Sequence, residues 1–204
     1  MRSFFAYFQV ASVVVFLLTV LGKTVYLRFS RNINPIAIGG GKRGLILAVE
    51  LIAFAGLIFW LVEILLTALD SSFHLFPSSW NLQLIDSLAA KIIGVALVTT
   101  GFIIFLLAYV SFGDSWRVGF DVKTPGALVT TGVFAFSRNP IYLSLDLWFF
   151  GIFLLNGTLV FLIFAALTAA VVHWQILKEE EFLFYLYGQP YQDYRARTGR
   201  YVTW

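Results

Sequence analysis

The side chains able to do chemistry fall mostly in two short segments. One is Leu128-Val-Thr-Thr-Gly-Val-Phe-Ala-Phe-Ser-Arg-Asn-Pro-Ile-Tyr142, which sets Arg138, Asn139 and Tyr142 close together. The other is Lys178-Glu179-Glu180-Glu181, with His173 and Gln175 just before it. On a helix, Gln175 and Glu179 share a face at i, i+4, and His173 and Glu180, seven apart, share an adjacent one. Carboxylates can hold an ammonium group or hydroxyls, an arginine can hold a carboxylate, and a histidine can accept a proton. Each has a plainer alternative: a solvated helix end for the glutamates, a hydrogen-bonded packing residue for His173, an interfacial anchor for Arg138. Glu50 and Asp146 interrupt apolar runs, and acids placed there line a cavity or meet a partner; the sequence leaves both options open.

Several chemistries are excluded. The chain has no cysteine, so disulfides, thiolate metal sites and cysteine nucleophiles are absent. Its two histidines, His74 and His173, fall in segments expected on opposite sides of a membrane, so no metal site is expected. Gly39-Gly-Gly-Lys-Arg-Gly44 lacks the spacing and the Lys-Ser/Thr end of a phosphate loop and reads as a basic turn. Basic residues are spread over several loops and form no single stripe, which argues against nucleic acid.

The elements that must position these groups are membrane spans. Of 204 residues 60% are hydrophobic and 12% charged, with mean hydropathy +0.86; soluble domains carry about twice that charge. The fold class expected is an all-α integral membrane protein, one domain over residues 1–204, with three N-terminal spans in 1–112 and the site-bearing part in 113–204. Five apolar runs are visible: Phe4–Gly22, Leu45–Leu69, Ser87–Tyr109, Ile141–Leu155 and Thr158–Leu177. Spanning takes about 20 residues, so the fourth run is expected to extend back through Arg138 or to tilt. Asn156-Gly157 alone separates the last two, a tight turn joining a helical hairpin. The last helix is expected to continue to Tyr187. Glu63 and Lys91 are expected to form a structural ion pair.

Lys and Arg counts give an orientation. Loop one holds Lys23, Arg28, Arg31, Lys42 and Arg43, loop three holds Arg117, Lys123 and Arg138, and the tail holds Lys178, Arg195, Arg197 and Arg200. Loop two, Asp70–Asp86, has none. Twelve of fourteen basic residues thus fall on one side, which places loop three and the tail in the cytoplasm and the N-terminus outside. The first run lacks a small-residue cleavage pattern and is expected to be a retained span.

The order Leu128-Val-Thr-Thr-Gly-Val-Phe134, Arg138-Asn-Pro-Ile-Tyr142, a hairpin, Glu179-Glu-Glu, then Tyr187-Gly-Gln-Pro-Tyr-Gln-Asp-Tyr194 resembles the isoprenylcysteine carboxyl methyltransferase family, whose wider group includes membrane phospholipid methyltransferases. The likeness covers about the last 95 residues, from Gly113 onward. It implies an integral-membrane enzyme with S-adenosyl-L-methionine in a cytoplasmic pocket and a lipophilic substrate entering from the bilayer. By motif, Gly126, Ala127, Leu128 and Val129 would line the cofactor through backbone groups, and Phe134 would pack on its adenosine. Asn139, Pro140, Ile141 and Tyr142 occupy the family's Arg-His-Pro-x-Tyr motif after its arginine, and Glu179, with Glu180 beside it, matches the cofactor-binding glutamate. Arg138 would meet the cofactor's carboxylate.

Two departures carry meaning. Asn139 stands in place of the motif histidine and still donates and accepts hydrogen bonds. Gln175 stands where the carboxyl methyltransferases have an arginine, so it cannot hold a substrate carboxylate by charge. The acceptor implied is an amine, thiol, phenol or lipid headgroup, with His173 or a nearby acid taking a proton. Two other readings compete: a nicotinamide-dependent membrane reductase related to sterol reductases, and a non-catalytic membrane scaffold.

Overall fold

In a computed structural model the chain is described over residues 2–32, 44–113 and 127–203; Gly126 and residues 39–43 of the basic turn lie outside these. Among the described residues six α-helices follow one another: α1 (Arg2–Ser30), α2 (Leu45–Ala68), α3 (Leu88–Phe112), α4 (Pro140–Asn156), α5 (Leu159–Tyr187) and α6 (Gln189–Arg197). The described residues form no strand beyond one isolated bridge, Gln83 to Thr158. Four helices are long and apolar enough to cross a bilayer, at Phe4–Ser30, Leu47–Ala68, Leu88–Phe112 and Leu159–Tyr187, and Pro140–Asn156 is a shorter apolar helix. The protein is therefore an all-helical, multi-pass membrane protein.

Helix α1 runs eight residues past its apolar stretch. What ends the stretch is Lys23, and the helix buries it: its ammonium donates to the Tyr109 carbonyl and lies 4.0 Å from the Tyr109 ring centroid. Leu27, one turn on, is wholly buried. Helix α4 does not extend back through Arg138. Pro140 opens it at a position where the missing N–H costs nothing, and proline disfavours a helical conformation in the residue before it; Asn139 has φ −131°, ψ 52°. Ser87 starts α3 by accepting a hydrogen bond from the Ala90 amide. Helix α5 continues to Tyr187, where Gly188 at φ 57° turns the chain into α6.

The α4–α5 hairpin turns at Gly157, whose φ of 68° is left-handed. Its carbonyl accepts from the Leu84 and Ile85 amides, and Gln83 Nε2 donates to the Asn156 carbonyl, so loop two is laced to the turn. The closest helix packing lies between α3 and α4. A Cβ on Gly94 would come 2.8 Å from the Gly151 carbonyl, one on Gly101 2.8 Å from the Ser144 carbonyl, and one on Gly151 2.7 Å from Val98 Cγ2. Small residues let membrane helices approach backbone to backbone, where dispersion contacts hold them. The main core joins α1 to α5, with Trp60 stacked on Phe149 at 4.1 Å.

Glu63 and Lys91 do not pair. Glu63 is completely buried, and its carboxylate takes the His74 ring nitrogen at 2.7 Å and the Leu75 amide at 3.0 Å. Lys91 donates to Asp86 at 2.6 Å. Each charge is met by loop two instead of by the other helix.

Candidate active site

At one end of the bundle α3 stops, α4 starts, and α5 passes into α6. The polar segments meet there. Tyr142 stands in the first turn of α4, and its hydroxyl donates to Glu179 Oε2 at 2.7 Å. Gln175, one turn before Glu179, lies beside the same hydroxyl, and Glu50 on α2 acts on it electrostatically. The four-residue spacing of Gln175 and Glu179 on α5 brings both to Tyr142. Among the described residues, Tyr142 is what hydrogen-bonds the Glu179 carboxylate.

Glu180, the next residue around α5, is differently placed. Its side chain is 6% exposed, and both oxygens are engaged. Oε1 accepts from Arg138 Nε at 3.2 Å, Arg138 Nη2 at 2.9 Å and Asn139 Nδ2 at 3.1 Å. Oε2 accepts from Arg200 Nε at 3.2 Å and Nη2 at 3.0 Å. The remaining Arg138 nitrogen, Nη1, donates to the Arg195 and Thr198 carbonyls at 3.1 and 2.7 Å. The Glu180 carboxylate in turn holds the Arg200 guanidinium still higher than its ordinary value. Guanidinium–carboxylate bonds of this fork type are the stronger hydrogen bonds of proteins.

The C-terminal strap after α6 closes this end. The Arg138 amide donates to the Gly199 carbonyl at 3.0 Å, and the Thr203 amide to the Phe136 carbonyl at 2.8 Å. Tyr194 Oη donates to the Phe134 carbonyl at 2.7 Å. Burial pushes the Tyr191 hydroxyl up to about 12 and raises Tyr194 further, so both are neutral at ordinary pH. Tyr201 stacks on His173, ring centroids 6.1 Å apart, and its hydroxyl lies 2.7 Å from His173 Nδ1. Burial and then the Asp146 charge raise the Tyr201 hydroxyl. Asp146, one turn beyond Tyr142 on α4, also feels His173, and its Oδ1 is buried with no hydrogen-bond partner among the described residues.

The remaining residues singled out by sequence take these places. Ala127, Leu128 and Val129 form an irregular segment, exposed at Ala127 and half-buried after it. Phe134 is buried, edge-on to Phe112 at 4.8 Å, in a cluster with Tyr191 and Tyr194. Pro140 is fully buried, and Ile141 packs on both the Phe134 and the Phe105 clusters. Gly126 lies outside the described residues. Arg200 and Tyr201 were not foreseen. Their signal was weak: one basic and one aromatic residue in a tail rich in both.

On the far side of α4 a small apolar cleft opens between α1, α3 and α4, lined by Ser12, Phe16, Phe102, Phe105, Ser144 and Trp148. Among the described residues no group of three or more metal-ligating side chains occurs.

A family model described as phospholipid methyltransferase matches residues 89–190, half of the chain. The match opens at the start of α3 and closes at the start of α6, so it holds Arg138, Tyr142, Gln175, Glu179 and Glu180 and leaves out Arg200 and Tyr201. No curated protein matches the chain.

Proposed function

Because this chain belongs to the phospholipid methyltransferase family, we propose that it transfers a methyl group from S-adenosyl-L-methionine to a lipophilic small molecule or lipid headgroup at the cytoplasmic face of the membrane. The observation that carries the reading is the Tyr142–Glu179 bond, which joins the first turn of α4 to the C-terminal third of α5 inside the family-matched region.

The residues present fit the cofactor's chemistry. The cofactor supplies an electrophilic methyl group on a sulfonium, together with an ammonium group, a carboxylate and ribose hydroxyls to be recognised. Glu179 would accept hydrogen bonds from the ammonium or the ribose, with the Tyr142 hydroxyl fixing its carboxylate in place. Backbone groups at Gly126, Ala127, Leu128 and Val129 take the rest of the ligand. Phe134, Asn139, Pro140 and Ile141 stand behind that segment, and Arg138, whose nitrogens are bonded within the chain, shapes the floor. Methyl transfer is an in-line displacement that gains most from alignment and exclusion of water. The C-terminal strap and the Tyr191–Tyr194 cluster supply the exclusion.

On the acceptor side Gln175 brings no charge, which favours an amine, thiol, phenol or lipid headgroup, deprotonated before it attacks, over a carboxylate. His173, carrying Tyr201 on Nδ1, is the group proposed to take the acceptor's proton. The cytoplasmic placing of this end rests on the basic residues that flank it.

Thermal stabilisation of the purified protein by S-adenosylhomocysteine, against NADPH as the competing ligand, tests the reading. Stabilisation by the former, lost in Glu179→Gln, is expected; stabilisation by NADPH alone would overturn it in favour of a reductase.

A further inference from the structure

We infer that Glu180 is a positioning residue, which fastens the C-terminal strap through Arg138 and Arg200 so that the Tyr201 hydroxyl is delivered to His173. The adjacent glutamates thereby divide two tasks, ligand contact at Glu179 and assembly of the acceptor side at Glu180.

The Glu180 carboxylate accepts five hydrogen bonds, three on Oε1 and two on Oε2. A carboxylate offers about four lone-pair sites, so a ligand's ammonium could bind here only by displacing Arg138, Arg200 or Asn139. Removing one partner from a buried ion pair leaves a charge uncompensated, which opposes such an exchange. Glu179 accepts from the neutral Tyr142 hydroxyl, and among the described residues it forms no ion pair. The two neighbours on α5 thus differ in the one respect that decides whether a cationic ligand can enter.

What the clamp grips is the strap. Arg200 enters from its middle, while the Gly199 carbonyl and Thr203 tie it to Arg138 and Phe136 on either side. The residue after Arg200 is Tyr201, and the strap presents it flat against His173. His173 and Tyr201 both act on Asp146, one turn beyond Tyr142 on α4, so the Tyr201–His173 pair borders the Tyr142–Glu179 site. An anchored arginine next to the delivered tyrosine leaves the side chain little freedom to leave the imidazole.

Histidine NMR on the full chain in lipid nanodiscs tests this, because the protein has two histidines, His74 and His173. Arg200→Ala, Glu180→Gln and Tyr201→Phe are each expected to move the His173 ring resonances and leave those of His74, bonded to Glu63, in place. Arg200, whose side chain is 32% exposed, gives the variant that keeps one arginine on Glu180 and so keeps the fold if Glu180→Gln does not. The kinetic arm rests on the methyltransferase reading. There Arg200→Ala and Tyr201→Phe are expected to hold S-adenosylhomocysteine affinity within about threefold while turnover falls about tenfold, and Glu179→Gln to lose affinity by more than about tenfold. Unmoved His173 resonances in Arg200→Ala would overturn the inference, as would a loss of affinity there as large as in Glu179→Gln. If the parent protein binds no S-adenosylhomocysteine, the methyltransferase reading fails and the NMR arm still decides the clamp.

Discussion

Gly157→Ala is expected to destabilise the protein by about 3–6 kcal/mol without touching the ligand site. Two contributions add. The left-handed backbone, φ 68°, costs a residue with a Cβ roughly 1–2 kcal/mol. The new Cβ would also lie 1.7 Å from the Ile85 carbonyl oxygen and 2.6 Å from Gln83 Nε2. A backbone carbonyl cannot rotate away, so loop two must withdraw from the hairpin turn. Withdrawal opens the Leu84 and Ile85 bonds to the Gly157 carbonyl, at 2.7 and 3.0 Å, and the Leu159 amide's bond to the Leu82 carbonyl, at 3.0 Å; each is worth about 0.5–1.5 kcal/mol. Reversible unfolding in mixed micelles measures the difference. Gly22→Ala is the control: nothing lies within 4 Å of its added Cβ, and the helix is expected to gain up to about 1 kcal/mol. An alanine at 157 that unfolds within about 1 kcal/mol of the parent would refute the clash and the lacing together.

Tyr142→Phe removes the hydroxyl that orients Glu179 and is expected to weaken S-adenosylhomocysteine binding by about 10- to 100-fold, the worth of one hydrogen bond to a charged group, by calorimetry; unchanged affinity would separate Tyr142 from the ligand site. At high pH the region around α6 should loosen. Tyr191 is raised to about 12 by burial, so its neutral form stabilises the fold below the ordinary tyrosine value and that stability is lost as pH rises from about 10 through 12. Tyrosine absorbance and protease sensitivity after Tyr187 follow it. Tyr191→Phe costs little at neutral pH, since the hydroxyl has no hydrogen-bond partner among the described residues, and should remove that part of the alkaline transition.

The spans were legible because their signal is summed over many residues. Three of the five apolar runs lie within three residues of the helices they became, the last helix continues to Tyr187 as expected beyond its apolar run, and the Asn156-Gly157 turn was evident from residue type. Single charges were misread. Lys23 looked like the end of α1 because a buried lysine is costly, yet a carbonyl and a ring at Tyr109 receive it. Glu63 and Lys91 looked like partners because they shared a depth, and each bonded loop two instead. Gly94, Gly101 and Gly151 drew no notice, since a close approach of two helices shows only when both are placed. In the site the i, i+4 spacing of Gln175 and Glu179 brought both to Tyr142. The engagement of Arg138 by Glu180, 42 residues on, could not be read from spacing, because it depends on a strap that folds back from beyond α6.

The 17 residues of α4 have a consequence for the polar end of the bundle. At helical rise they measure about 25 Å, against a hydrocarbon layer of about 30 Å. Of the residues of α4 only Phe150 is exposed, so its longer neighbours screen α4 from the lipid and the missing length falls inside the bundle. The level that a longer helix would have filled is left to the segment before Pro140 and to the C-terminal strap tied to it, so the depth of the polar end is set by how far α4 stops short of its neighbours.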